Sequence, residues 1–217
     1  MTQQLWEMIG QGVVETLQMT VISTILAYVV GLPLGIVLVI TDKGHILPNR
    51  IVNGIIGAIV NIFRSIPFLI LLVFLIPFTR FVTGASIGTT ATIVPLTVGA
   101  IPIIARMVES SLKEVPSGII EAAQAMGASP IEIITRFLLP EAVPSLLLGA
   151  AINLATILGY SAMAGCIGGG GLGAIALNYG YYRYQTDVLW ITVAILIIIV
   201  QIFQEVGTRL SVNRRHS

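Results

Sequence analysis

The sequence predicts an all-α polytopic membrane protein with five transmembrane helices. Three observations carry that prediction. The chain of 217 residues is 56% hydrophobic and only 10% charged, with a mean hydropathy of +0.97, whereas a soluble globular domain is about one quarter charged. Five stretches are long and apolar enough to cross a hydrocarbon core about 30 Å thick, which takes roughly 20 helical residues. The basic residues between those stretches fall mostly on one side, as they do in membrane proteins of fixed orientation.

The first twelve residues, MTQQLWEMIGQG, carry no Lys or Arg and no small-residue cleavage signature. They read as a retained N-terminus with an amphipathic turn or two and Trp6 at the interface. The spans follow at about 16–40, 52–78, 87–108, 142–164 and 187–207, within what reads as one transmembrane domain, 1–217. Lipid offers no partner to a free backbone N–H or C=O, so each span must be helical. Interruptions are expected at Pro33, Pro67, Pro95 and Pro102, where the hydrogen-bond ladder loses a donor. No span resembles another closely enough to be an internal repeat. Between the third and fourth spans lies a polar loop, 109–141.

With the N-terminus outside, the inside segments hold Lys43, Arg50, Arg106, Lys113, Arg136, Arg209, Arg214 and Arg215, against Arg80 and Arg183 outside. That eight-to-two bias puts the 109–141 loop and the C-terminal RLSVNRRHS in the cytoplasm. Arg64, inside the second span, is the only deep charge this reading leaves. All ten acidic residues fall at span ends or in loops, which argues against a self-contained proton relay.

Other classes are excluded more simply. A net charge of +1 gives no basic patch for nucleic acid. The single cysteine, Cys166, rules out an internal disulfide and a multi-cysteine metal site. His45 and His216 lie far apart, so no metal site is expected. Neither lysine stands in a phosphate-binding loop. GGGGLG at 168–173 formally matches Gly-x-Gly-x-x-Gly, but it follows a membrane span rather than a strand, so the nucleotide reading fails. No nucleophile-and-base pair emerges, and the chain reads as a non-enzyme. A concentrating pump needs about 1.4 kcal/mol per tenfold of accumulation, so such a chain would need a partner to supply it.

The polar loop is the informative segment. Pro116 suits a first helical turn, where its missing N–H is harmless. GIIEAAQAM continues helically, and Gly127 suits the left-handed residue that ends a helix. Ser129 as N-cap, Pro130 at the first position and Glu132 three residues after the cap form a capping box. The expectation is two short helices joined by a tight turn, the second running about 130–139 and stopping near Pro140. Composition alone also allows an amphipathic linker lying on the membrane.

Glu121-Ala122-Ala123, then three residues, Gly127, nine residues and Phe137-Leu138-Leu139-Pro140 resemble the EAA loop of bacterial ABC importer permeases, with Phe137 where that family usually has Ile. The stretches VVETLQMTVIST, NIFRSIPFLILL, TTATIVPLTVGAIPIIARMVESSLKEVP and ILGYSAMAGCIGGGGLGAIALNYGYYRYQTDVL extend the resemblance to the methionine importer permeases. It implies a type I ABC importer permease fold in the bacterial cytoplasmic (inner) membrane, and a homodimer. That dimer would dock two ATP-binding cassette ATPase subunits and receive methionine from an extracytoplasmic binding protein. ATP and Mg would be held by the ATPase, and no cofactor by this chain. The resemblance also implies coupling helices at about 116–139 and places ATPase coupling on Glu121, Ala122, Ala123, Gly127, Leu139 and Pro140. An ABC permease for another amino acid or a betaine-like solute is the alternative within the class; a passive channel or membrane scaffold is the alternative outside it.

Asn153, Thr156, Tyr160 and Met163 share one face of the fourth span at i, i+3, i+7 and i+10. Two readings stand: packing between helices, or the lining of a translocation path with Met163 as part of its outer gate. Arg64, beside Asn61 and Ser65, satisfies carbonyls around Pro67, snorkels toward the cytoplasm or binds a substrate carboxylate. The run from Gly165 to Gly173 has six glycines in nine residues and reads as a tightly packed loop. The aromatics of NYGYYRY read as an interfacial belt.

Overall fold

A computed structural model describes residues 3–215, with side chains through Val212. His216 and the side chains of Arg214 and Arg215 lie outside the described residues. Every described element is helical: α1 (Gln3–Ile40), α2 (Arg50–Ser65), α3 (Phe68–Phe74), α4 (Ile76–Thr83), α5 (Thr89–Lys113), α6 (Ser117–Ala125), α7 (Pro130–Glu132), α8 (Leu139–Ala164), α9 (Gly171–Ile175) and α10 (Thr186–Arg215). Wide, π-type turns at Ile133–Leu138 and Ala176–Tyr181 continue α7 into α8 and extend α9. Four helical stretches are long and apolar enough to cross a membrane, and the bent pair α2–α3 makes a fifth if counted as one span.

The centre is the parallel pair α1 and α5. A stripe of small residues on α1, Gly12, Thr16, Thr20, Ser23, Thr24, Ala27, Gly31 and Gly35, is buried, its first members against α9 and Gly31 and Gly35 against α5. A Cβ on Gly31 would stand 2.8 Å from Ile104 Cγ2, and one on Gly35 would stand 2.6 Å from Val108 Cβ. In hydrocarbon there is no water to expel, so helices associate by such close backbone approach. Helix α8 crosses α5 in the opposite sense, with Gly149 against Met107 and Ser145 Oγ donating to Ser111 Oγ at 3.0 Å. Helix α10 closes the other side of α8, where Gly207 packs on Ala151 and Ser211 Oγ donates to Pro144 O at 2.7 Å.

Several expectations need correction. The second span, expected at 52–78 with an interruption at Pro67, breaks at that proline more sharply than a kink. The chain bends by 100° between α2 and α3, because Pro67 has no N–H to donate and holds Ile66 extended (φ −81°, ψ 123°). Pro33, Pro95 and Pro102, in contrast, stay inside continuous helices. The N-terminal turns do not form a separate piece but belong to α1, whose 38 residues reach about 57 Å at 1.5 Å per residue. The second hairpin helix does not stop near Pro140. The wider turn at Ile133–Leu138, in which Leu139 N–H reaches Ile134 O, carries the helix past that proline and directly into α8.

Three charged residues of the long helices are held by polar partners. Arg106 and Glu109 lie in α5, Glu109 only 8% exposed, and Glu15 lies well inside α1. Each is compensated: Glu109 by Arg106 and Lys113, and Glu15 by the N–H of Gly171 at 2.7 Å and the Gln11 amide at 2.9 Å.

Candidate functional site: the 114–144 hairpin and the faces it controls

The hairpin begins where Pro116 (φ −57°, ψ 132°) acts as N-cap of α6, one position earlier than its sequence predicts. Helix α6 ends in a Schellman motif. Ala128 N–H reaches back to Ala123 O at 3.1 Å and Gly127 N–H to Gln124 O at 2.9 Å, with Gly127 at φ +79°. No atom lies within 4 Å of where a Gly127 Cβ would stand. Its φ, not lack of room, therefore demands glycine. The capping box is present: Ser129 N–H donates to Glu132 Oε2 at 3.0 Å, and Glu132 N–H to Ser129 Oγ at 3.4 Å.

The EAA triplet divides. Glu121 and Ala122 are exposed, while Ala123 is fully buried in a cluster with Ile120, Ile133 and Leu138. Ala123 thus holds the two arms together, whereas Glu121 and Ala122 face outward. Leu139 is half-buried and Pro140 exposed. Met126 and Ile131 stand 70% and 73% exposed on either side of Gly127. Periodicity missed this apolar tip, because the two residues belong to different helices and meet only across the turn at Gly127. At the base of the hairpin, Ser111, Glu114, Pro116, Glu141, Pro144 and Ser145 line an open cavity of about 630 Å³.

The polar stripe on α8 does not act as one face. Asn153 is 1% exposed and its Nδ2 donates to the Tyr28 hydroxyl at 3.0 Å. The Tyr160 ring stacks on Phe68, centroids 4.2 Å apart and nearly parallel. Both residues therefore pack within the protomer. Thr156 is half-buried, its hydroxyl bonded to Ile152 O at 2.9 Å, and Met163 is 50% exposed. The open face of α8 runs instead through Leu148, Ile152, Gly159 and Met163, with Thr156 on its edge. Arg64 is exposed at the end of α2, with no hydrogen bond or ion pair among the described residues. The neighbouring Asn61 accepts instead from Arg106, at 2.8 Å.

At the opposite end from the hairpin, the glycine run is packed tightly. Gly170 and Gly171 adopt φ +81° and +73°. A Cβ on Gly170 would meet Thr89 Oγ1 at 2.8 Å and Glu15 at 2.9 Å; on Gly171 it would meet Thr16 Oγ1 at 2.7 Å. Glycine lets this loop lie directly against α1, where Glu15 and Thr16 accept from the first two N–H groups of α9.

Comparison with known proteins places this architecture. The chain is 48% identical over 216 residues to a probable D-methionine transport system permease protein MetI of Pasteurella multocida, with 100% of each chain covered. It is 54% identical over 165 residues to the D-methionine transport system permease protein MetI of Escherichia coli K12, 76% of each chain covered. Among solved structures, a methionine ABC transporter in inward-facing conformations superposes with a TM-score of 0.97 at 50% identity, covering 99% of both chains. An amino acid ABC transporter solved with histidines shares the fold alone, with a TM-score of 0.80 at 18% identity over 97% of this chain and 95% of that one. Residues 27–210 match the family described as binding-protein-dependent transport system inner membrane component, and the chain belongs to that family.

Proposed function

We propose that this chain is the permease subunit of an ATP-driven methionine importer in the bacterial inner membrane. The observation that carries the reading is the 114–144 hairpin. It leaves α5 through the short turn at 114–116 and enters α8 as continuous helix, and it presents Glu121, Ala122 and the Met126–Ile131 tip outward. That is the form of a rigid lever for another protein to move. Similarity to D-methionine permeases along the whole chain supports methionine as cargo.

In this reading two copies form the pathway, and two ATPase subunits that bind ATP and Mg close on the two hairpins. An extracytoplasmic binding protein delivers methionine to the other side. The N-terminus is outside and the C-terminus cytoplasmic, which puts the hairpin on the ATPase side. Glu121 and Ala122 contact the ATPase, Ala123 and Leu139 hold the lever's shape, Gly127 sets its turn, and Pro140 marks its junction with α8. Met163, on the open face of α8, gates the outer end of the path, with Thr156 at its edge; Asn153 and Tyr160 support that face from behind. Arg64 meets the substrate carboxylate. When the ATPases close, α5 and α8 follow the hairpin and access switches from one side to the other.

Purification from mild detergent, with mass determination of everything bound, tests the assembly. Two copies of the chain with two P-loop ATPases, followed by ATP-dependent methionine uptake in proteoliposomes, are expected. A chain that emerges alone under conditions preserving other importers overturns the reading in favour of a channel or scaffold.

A further inference from the structure

Four charges of alternating sign run along one side of α5. Asp42, in the loop after α1, pairs with Lys113 at 2.8 Å, and Lys113 pairs with Glu109 at 3.0 Å. The other oxygen of Glu109 pairs with Arg106 at 2.6 Å. Arg106 then crosses to α2, where Nη2 donates to Asn61 Oδ1 at 2.8 Å and to Gly57 O at 3.2 Å. Charges on an apolar helix are expensive unless each is partnered; here every member has an ion-pair partner, although Arg106 Nε is buried without a hydrogen bond among the described residues.

Packing alone does not require the guanidinium. Helix α2 buries a single residue, Val60, which touches α5 through Ala105. Asn53 ties the first half of α2 to α1 by donating to Leu38 O at 2.7 Å. Arg106 ties the second half to α5. Apolar contacts resist separation but permit sliding, whereas two bonds from one planar guanidinium set both distance and register. Position matters as much as strength. Arg106 stands seven residues before the end of α5, about 10 Å of helix, beyond which the chain enters the hairpin. Asn61 stands four residues before the end of α2, where the chain bends by 100°.

We propose that Arg106 is a positioning residue that carries displacement of the hairpin, through α5, to the bent α2–α3 segment. The inference rests on the importer reading and adds a second route to it, from α5 sideways to α2 rather than along the chain into α8. The test uses the full chain in complex with its ATPase, reconstituted in liposomes, with methionine uptake and ATP hydrolysis measured together. Asn61→Ala removes the side-chain acceptor on α2, leaving only the longer bond to Gly57 O there, and keeps the Arg106–Glu109 pair. Arg106→Lys keeps the charge but lacks the fork that reaches Glu109 and Asn61 together. In each, methionine carried per ATP should fall about tenfold, the worth of one charge-assisted hydrogen bond, while assembly and hydrolysis persist. Asn61→Asp, which keeps an acceptor, should restore the ratio.

Unchanged uptake per ATP in Asn61→Ala overturns the proposal. So does a parallel loss of uptake and hydrolysis, the mark of general damage. Should Asn61→Ala fail to insert, Arg106→Lys is judged by the same two readouts. An unaltered complex that hydrolyses ATP without moving methionine overturns the importer reading itself, and this proposal with it.

Discussion

Gly127 shows how much one backbone angle controls. Its φ of +79° closes α6 two residues before the N-cap of α7, Ser129, so the turn sets the angle between the hairpin's arms. A β-branched residue there must bear strain of order 1–3 kcal/mol or let the turn open. Space around the position is free, so Gly127→Val should leave insertion and membrane abundance near normal while lowering ATP-driven uptake at least about tenfold. Immunoblotting of membranes beside uptake measures both; normal uptake would remove Gly127 from the coupling role. Asn153 gives the opposite lesson. A polar residue at a pathway-like position turns inward to Tyr28, and its burial, not its polarity, defines what it does.

Among the elements, the α1–α5 pair carries the molecule, and it depends on absent side chains. Gly35 lies against Val108 Cβ at 2.6 Å and Ala105 O at 2.7 Å from its would-be Cβ, both on rigid helix rather than on a mobile side-chain end. Gly35→Leu should force the helices apart, also stretching the Asp42–Lys113 bridge that follows α1. Overpacking of this kind costs about 1–3 kcal/mol or more. The expected outcome is a lower melting temperature of the purified protein and faster proteolysis of the Thr41–Asn49 loop. A variant as stable as the parent would mean that this interface can slide. Gly54→Leu, at a site with nothing within 4 Å, serves as the tolerated control.

For the whole molecule, the bundle sorts positions by depth and side. Single cysteines introduced into a Cys166→Ser background, since the native thiol is exposed, read that sorting directly. At Met163 the new thiol should react with a water-soluble maleimide in at least one nucleotide state of the assembled transporter, whereas at Asn153 it should remain unreactive in all of them. Cysteines at Met126 and Ser129, at the hairpin tip, should label from the side opposite to one at Ala85. Labelling of Met126 and Ala85 from the same side would contradict the orientation drawn from the basic residues. A thiol at Met163 that never reacts would make the α8 face a buried helix–helix contact rather than a pathway lining.

The sequence by itself determined what depends on local chemistry and on the solvent. Hydrocarbon demands apolar helical spans, Ser129–Glu132 demands a helix start, and Gly127 demands a left-handed turn; each is a property of neighbouring residues. The EAA spacing marked the hairpin for the same reason, since its geometry is built within thirty residues. Only the tertiary structure decided which polar groups would meet. Whether Asn153 faces a pathway or Tyr28, and whether Arg64 or Arg106 ties α2 to its neighbour, depend on partners 45 to 125 residues away in the chain. Pro67 and Pro140 divide along the same line. Both lack the same donor, yet one ends a helix and the other lies inside one, because at Pro140 the wider turn before it lets the chain continue onto the packed surface of α5.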